Sequence, residues 1–379
     1  MQKERMFPLI YLDNSATTKP SESAVKAAIL MMEEEFGNPS SRYTLGLSSE
    51  RILNEARASV AASLHTNAKN IIFTSGGTES DNIAIIGGAN IKAGKRIVTT
   101  AIEHDAVKNA FMHLEALGFE VVFVAPEEDG SVKAEKILAA VNDKTSLVSV
   151  MHVNNETGAI LPIEKLAPMI KRKAPRALFH VDAVQSYGKI DLYPSRWGID
   201  LMTVSSHKVH GPKGVGALYK SDKVTSLKPI VFGGGQEGNI RSGTENMVGI
   251  AGFGAAAAEI NPDEHYERMA KLKKDFAEKL LALPDVYLNG GLINSSPYIL
   301  NVSFKGIRSE IMLNALSEEG IYVSSGSACA KGAKGSSTLA AMNVPYPDNA
   351  IRFSFSKHTS FEELEETYQT IIKKLEILR

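Results

Sequence analysis

The sequence predicts an α/β protein, with a large domain built on a mostly parallel sheet and a smaller α+β domain. Three observations lead to this prediction. The 379 residues exceed what a single hydrophobic core usually holds. Between residues 71 and 219, short apolar runs alternate with helical patterns, as expected for a parallel sheet that is covered on both faces. Beyond residue 260 the strands are fewer and their order is mixed.

The predicted strands of the large domain are apolar throughout and rich in β-branched residues: NIIFTS, KRIVTTAI, FEVVFVAP, TSLVSVMHV, ALFHVDAV and DLMTVSS. Between two of them, apolar residues recur at helical spacing from Val107 to Leu117, and Gly118 is expected to end that helix. Upstream, SSERILNEARASVAASL is predicted to be a helix opened by a serine cap. Downstream, GIAGFGAAAAEI is predicted to be a buried helix.

The pattern changes near Asn261 and Pro262. The elements that follow are an amphipathic helix, the strand YILNVSF, the helix SEIMLNALSEEG, the strand AIRFSFS and a last helix, FEELEETYQTIIKKLEILR. A Gly/Ser-rich segment at about residues 324–337, here called the cysteine loop, lies before the last strand. We therefore expect a large domain at residues 16–260 and a small domain formed by residues 1–15 and 261–379, which carries this loop.

Composition excludes several classes of function. The 42 basic and 43 acidic residues nearly balance, so no basic surface for nucleic acid or an anionic membrane is expected. The longest apolar run, 248–258, is far shorter than the ~20 residues of a membrane span. The brief apolar stretch at the N-terminus is interpreted as mature protein rather than a signal peptide. A single cysteine allows neither an internal disulfide nor a cysteine-based zinc site, so a reducing cytoplasm is the expected compartment and no metal is expected.

Three strand ends carry residues of the right kind for one cofactor. Lys208 follows the strand DLMTVSS, at the edge where ligands bind in open α/β sheets, and could form a Schiff base with a carbonyl cofactor. Asp182 ends a strand that otherwise suits a core, and a pyridinium nitrogen would suit its charge. The turn at Gly76, Gly77 and Thr78 leads into a helix and can approach a phosphate. A surface lysine, a structural aspartate and an ordinary turn are the alternatives, but the combination describes a pyridoxal phosphate site.

The ordered motifs carry a family resemblance: YLDNSATT, FGNPSS, TSGGTESDN, IEHDAV, VNNETG, HVDAVQS, SSHKVHGPKG, RSGTEN, SSGSAC and IRFS. In this order they resemble the cysteine desulfurases of the NifS/IscS group, within the class V aminotransferase-like, fold-type I enzymes that depend on pyridoxal 5'-phosphate. The resemblance covers residues 11–359, nearly the whole chain. It implies a fold-type I architecture, a homodimer and L-cysteine as the substrate.

The resemblance also implies a role for each matching residue. Lys208 would hold the cofactor covalently, Asp182 would pair with the pyridine nitrogen, and Gln185 would bond the ring oxygen. His104 would stack on the ring and relay protons. The residues implied in phosphate binding, the last from a second subunit, are Gly77, Thr78, Ser205, His207 and Thr244. Those implied in binding the substrate carboxylate are Asn155 and Arg352. For Arg352 the chemistry agrees, because a buried arginine needs an anion and no acidic residue lies nearby in sequence.

Cys329 is the only cysteine of the chain and lies in the cysteine loop. The resemblance implies that its thiolate attacks the sulfur of L-cysteine, so that alanine leaves and a persulfide remains. The positive charges of Lys331 and Lys334 should favour the thiolate, and the glycines and serines form a flexible tether. The sulfur would pass to an acceptor protein for iron–sulfur cluster assembly or for thiolation of tRNA or a cofactor. The alternatives are a selenocysteine lyase, another class V enzyme such as a plain aminotransferase, or a non-enzymatic scaffold.

Overall fold

The computed structural model describes residues 9–89, 94–325 and 335–379. Cys329, Lys331 and Lys334 lie outside the described residues. The strands are β1 Ile10–Tyr11, β2 Ile71–Thr74, β3 Arg96–Thr100, β4 Glu120–Val124, β5 Thr145–Met151, β6 Leu178–Asp182, β7 Leu201–Ser205, β8 Gly216–Lys220, β9 Val286–Leu288, β10 Ile299–Phe304, β11 Ile321–Tyr322 and β12 Ala350–Ser354.

The described α-helices surround three sheets. They are α1 Glu22–Glu33, α2 Thr44–Ala62, α3 Gly77–Asn82, α4 Asp105–Ala116, α5 Ala134–Ala140, α6 Ile163–Lys173, α7 Pro194–Trp197, α8 Met247–Ala258, α9 Pro262–Leu281, α10 Ser309–Glu318, α11 Ser337–Ala341 and α12 Phe361–Leu378. None of the helices in the described ranges is both long and apolar enough to cross a membrane.

The largest sheet has the strand order β2-β8-β7-β6-β5-β3-β4. Within the described strands of this sheet, β8 alone runs in the opposite direction to the other six, which confirms the predicted mostly parallel sheet. Neighbouring residues of one strand enter different cores: Leu147 packs in one cluster and Val148 in the other. Both faces are therefore buried, which explains why the strands are apolar throughout. The carboxyl ends of β6 and β7 share one edge.

A third hydrophobic core lies in the C-terminal part of the chain. It includes residues of α9, α10 and α12 and of an antiparallel sheet of order β12-β10-β9. Residues Ile10 and Leu12 join this core, and β1 pairs in parallel with β11. The N-terminal segment is thus attached to the C-terminal core. The domain boundary near residue 260 stays a prediction.

Three helices show where local patterns sufficed and where they failed. The prediction of a serine cap for α2 was wrong, because the helix begins at Thr44 and the cap residue is Tyr43. Gly118 follows α4 with a φ of +86°, which suits the glycine predicted to end that helix. Helix α8 is buried as predicted, since a Cβ at Gly254 would lie only 2.5 Å from the Cβ of Ala56 in α2.

Candidate active site

Lys208 stands at the carboxyl edge of the large sheet, as predicted. Strand β7 ends at Ser205 and passes into a short 3₁₀ turn, Ser206–Lys208, which leaves the lysine half-buried. Its Nζ donates to the carbonyl of Ala16 at 2.8 Å and also to that of Ser15. These carbonyls belong to the segment 11–18, which crosses the site from the N-terminus. Main-chain acceptors therefore help to hold the amine in place.

Asp182 is the last residue of β6 and is 5% exposed. Its Oδ1 accepts a hydrogen bond of 2.9 Å from the Val184 N–H. Burial raises the pKa of Asp182, while the Val184 N–H and the positive charges of His104 and Lys208 act in the opposite direction. A cationic N–H brought against this carboxylate would favour its ionised form.

A glycine and a hydroxyl form a recess between β7 and α3. A Cβ at Gly77 would lie 2.9 Å from Val184 Cγ2 and 3.8 Å from the Cβ of Ser205, so a larger residue would crowd this space. Ser205 is 1% exposed, and its Oγ has no hydrogen-bond partner in the described part of the chain. Gly76, with a φ of +153°, turns the chain from β2 into α3. A phosphate oxygen would satisfy the unpartnered hydroxyl.

The two candidate histidines have different surroundings. His207 Nδ1 lies 3.2 Å from Thr17 Oγ1. Burial, followed by the charges of nearby lysines, lowers the pKa of His207 to about 4, so it is neutral at pH 7. His104 caps α4, and its Nδ1 accepts from the Ala106 N–H at 3.1 Å, which assigns the proton of a neutral ring to Nε2. His104 is exposed and lines one open pocket with Thr78.

Gln185 and Thr244 occupy very different environments. Gln185 is 5% exposed, and its Nε2 donates to the Ser15 carbonyl at 2.9 Å. Thr244 is exposed on the segment that leads into α8. An exposed position is compatible with a threonine that serves the site of another subunit, and the role of Thr244 stays a prediction.

Arg352 lies in β12, where its guanidinium contacts two other parts of the chain. Nη1 donates to the Asn155 carbonyl at 3.0 Å, and Nη2 donates to Asp13 Oδ1 at 2.8 Å. The sequence argument considered only acidic residues near Arg352 in sequence, whereas the fold brings an acidic partner, Asp13, from 339 residues away. Arg352 Nε remains buried without a partner among the described residues, so it is available to another acceptor.

The segment 11–18 is the part of the site that sequence reasoning missed. It supplies Asp13 to Arg352, the Ser15 carbonyl to Gln185, the two carbonyls to Lys208 and Thr17 to His207. YLDNSATT was recognised as a motif, but no role could be assigned to its residues. Most of its contacts use main-chain carbonyls, which every residue has and which the residue types therefore do not reveal. The pairing of β1 with β11 and the bonds from Asn14 and Thr18 to Ser354 and His207 bring this segment to the sheet edge.

Both described ends of the cysteine loop are attached beside this site. Ser324 pairs with the backbone of Arg352 through hydrogen bonds of 3.2 and 2.7 Å. On the other side of the loop, Ser336 Oγ donates to Glu156 Oε2 at 2.5 Å, next to Asn155. The loop therefore leaves and rejoins the described structure at the residues predicted to bind the substrate carboxylate.

Asp13→Asn should destabilise the protein, because it leaves the Arg352 charge without its carboxylate. The loss in unfolding free energy should be about 2 kcal/mol, less than for a fully buried pair, because the Asp13 side chain is 21% exposed. Urea denaturation measures the loss. The control is Asp285→Asn, which removes a surface partner of Lys305 and should change little. Equal stability of both variants would contradict this role for Asp13.

A buried acid beside the site predicts how stability depends on pH. Glu103 Oε1 accepts from Thr100 Oγ1 at 2.6 Å and from the Met151 N–H at 3.0 Å. Burial raises the pKa of Glu103 from 4.5 to about 8. As pH rises through this window, the unfolded chain loses the proton before the folded chain does, so the folded state becomes less stable. Glu103 thus stays protonated near pH 7 and does not add a second charge beside Asp182.

Glu103→Gln should remove this pH dependence. Its unfolding free energy should fall less than that of the wild type when urea denaturation is repeated from about pH 5 to about pH 8. Glu128→Gln, at an exposed position, is the control and should follow the wild type. If Glu103→Gln and the wild type lose stability in parallel, Glu103 does not hold the proton.

Comparison with known proteins identifies the family. The family model described as aminotransferase class-V matches residues 10–366. A cysteine desulfurase IscS of Dictyoglomus turgidum is 40% identical over 378 residues, covering 98% of this chain and 95% of the relative. A cysteine desulfurase of Nostoc sp. is 39% identical, with 98% and 94% covered.

Solved structures agree with this match. A NifS-like protein superposes with a TM-score of 0.91 at 36% identity, over 98% of this chain and 100% of the other. The structure described as SspA in complex with cysteine superposes with a TM-score of 0.81 at 30% identity, over 93% of this chain and 100% of the other. The chain therefore belongs to the aminotransferase class V family, with the fold of its NifS-like members.

Proposed function

We propose that this protein is a cysteine desulfurase that uses pyridoxal 5'-phosphate to convert L-cysteine to L-alanine and keeps the sulfur as a persulfide on Cys329. The observation that carries the proposal is the meeting of Lys208, Asp182 and the Ser205 recess at one sheet edge, in a chain that aligns almost end to end with cysteine desulfurases. Both described ends of the cysteine loop reach this same site.

The side chains fit the cofactor at each of its functional groups. The amine of Lys208 would bond its aldehyde carbon, and Asp182 would accept a hydrogen bond from its ring nitrogen. The unpartnered Ser205 hydroxyl, the neutral His207, Thr78 and the backbone at Gly77 would hold its phosphate. Gln185 would donate its second amide proton to the ring oxygen. His104 presents an exposed ring for stacking.

When bound, the cofactor supplies a ring that withdraws electrons from the substrate. Lys208 would take the proton from the substrate Cα once its amine is free, and the carbonyls of Ser15 and Ala16 hold this amine in position. His104 Nε2 would carry a proton to or from the substrate. Arg352 Nε and the Asn155 side chain would hold the substrate carboxylate.

Sulfur transfer requires a thiolate, which only Cys329 can supply in this chain. A bond forms between Cys329 Sγ and the substrate sulfur, while the Cβ–S bond of the substrate breaks and leaves its electron pair on carbon. That carbon takes up a proton to become the methyl group of alanine. Cys329 retains the sulfur as a persulfide for an acceptor protein, in iron–sulfur cluster assembly or in thiolation of tRNA or a cofactor, and we place the activity in the cytoplasm.

The proposed activity is tested by incubating the purified protein with L-cysteine, a thiol reductant and added cofactor. Alanine and sulfide should form in equal amounts, and neither should form when the cofactor is omitted from cofactor-stripped protein. Formation of pyruvate and ammonia instead of alanine would contradict a desulfurase. L-Selenocysteine as the competing substrate tests the lyase alternative, which would be favoured if it were the only amino acid consumed.

We also propose a homodimer, whose partner would contribute Thr244. Apolar side chains of and after α1 face solvent in the single chain: Val25, Ile29, Leu30, Met32 and Phe36. Phe232, on the segment that also carries Thr244, is 82% exposed. Several exposed apolar side chains on one helix suit contact with a second copy. Size-exclusion chromatography with light scattering should give twice the mass of one chain, and a monomer mass would contradict the proposal.

A further inference from the structure

Lys189 is a buried lysine beside the candidate active site that neither the sequence argument nor the proposed function uses. It is 6% exposed and follows Gly188 in the loop after β6. Its Nζ lies 3.4 Å from Gln185 Oε1 and 6.0 Å from the ring centre of Tyr298. No carboxylate in the described part of the chain lies at salt-bridge distance from Lys189. A buried ammonium without a counterion is costly, which points to a use for this charge.

The charged groups that act on Lys189 are mostly positive. Burial lowers the pKa of Lys189 to about 7, and the charges of Lys208 and Arg352 add to this effect. In turn, the charge of Lys189 lowers the pKa of His207 and of His210, although burial is the largest cause in both cases. Lys189 and Lys208 line the same cavity, so repulsion between the two cations acts on both of them.

Lys189 can donate a hydrogen bond to Gln185 in only one orientation of the Gln185 amide. An ammonium has donors and no acceptor, so it must face the amide oxygen rather than the amide nitrogen. With Oε1 towards Lys189, the amide nitrogen points to the Ser15 carbonyl, 2.9 Å away, and keeps one proton for a ligand. Without Lys189, only the Ser15 carbonyl would favour this orientation, and a rotated amide would present its oxygen to an anionic ligand oxygen, which it would repel.

We propose that Lys189 is a positioning residue of the cofactor site: its buried ammonium orients the Gln185 amide towards the cofactor ring oxygen and repels the charge of Lys208 across the cavity that both lysines line. This inference rests on the proposed function. It assigns to the buried lysine a role that acts through Gln185 and Lys208 rather than by touching the substrate.

The test is an absorbance titration of the cofactor-loaded protein. Lys189→Met keeps the length of the side chain and removes the charge. The pH at which the visible band changes should rise by roughly one unit, because the repelling cation is gone. Lys273→Met is the matched control: Lys273 is 4% exposed and bonds Ser295 and Ser296, and its replacement should leave the midpoint unchanged. An unshifted midpoint in Lys189→Met, or equal shifts in both variants, would overturn the proposal.

Two further measurements separate failure of this inference from failure of folding or of the proposed function. If Lys189→Met is insoluble, Lys189→Gln is titrated instead and the same upward shift is required. Gln185→Leu should remove the oriented amide but keep the cation, so the cofactor should dissociate more readily while the midpoint moves less than in Lys189→Met. If the wild type forms no visible band with the cofactor, the proposed function itself fails. A normal wild-type band with an unshifted Lys189→Met overturns only the role of Lys189.

Discussion

Cys329→Ser is expected to abolish sulfide release from L-cysteine while the protein still binds the cofactor and becomes yellow. The thiolate is the attacking group of the proposed reaction, and a serine hydroxyl ionises far less readily and does not accept sulfur. Since Cys329 is the only cysteine, no other side chain can replace it. The rate should fall at least about a thousandfold, as for other essential nucleophiles. Sulfide release with a thiol reductant and the visible absorbance are the two measurements.

Ala330→Ser is the control for this substitution, since it changes the neighbouring residue of the same loop and keeps the thiol. It should retain most of the activity. If Cys329→Ser releases sulfide at the rate of Ala330→Ser, the sulfur leaves the substrate without a persulfide on this chain. The activity would then be an elimination of the kind expected of a different class V enzyme.

Lys208→Ala should prevent covalent attachment of the cofactor. The variant lacks the amine that the carbonyls of Ser15 and Ala16 hold at the sheet edge. The visible band of the lysine adduct should disappear, and borohydride should no longer attach the cofactor to the chain. Desulfurase activity should fall at least about a thousandfold, because the same amine is the proposed base for the substrate Cα.

Lys213→Ala provides the comparison, because Lys213 follows five residues later and is exposed. This variant should bind and react like the wild type. If borohydride still links the cofactor to Lys208→Ala, another lysine forms the adduct, and Lys189 would be the first to examine. Such a result would contradict the assignment of Lys208.

The parts of the site that could be predicted from the sequence are those where a polar residue interrupts an apolar run. Asp182 and Lys208 mark strand ends because each follows residues that suit only a core, and the parallel sheet brings these ends together. The glycine turn before α3 was recognisable because it, too, directly follows an apolar run. These positions depend on local patterns and on one general rule of α/β topology.

The parts that could not be predicted depend on contacts between distant segments. Asp13 meets Arg352 only because β1 pairs with β11 and the N-terminal segment then passes β12. Ser15 and Ala16 act through main-chain carbonyls, which every residue has. Lys189 carries no motif of its own in the loop after β6, and its burial becomes visible only in the folded structure.

The most direct measurement for the proposed function is mass spectrometry of the protein after a brief pulse of L-cysteine without reductant. We expect the loaded wild type to gain a sulfur atom, peptide analysis to place it on Cys329, and alanine to be released in an equal amount. A reductant should remove the sulfur as sulfide. Release of alanine with no sulfur on Cys329, or sulfur bound at another residue, would contradict the account.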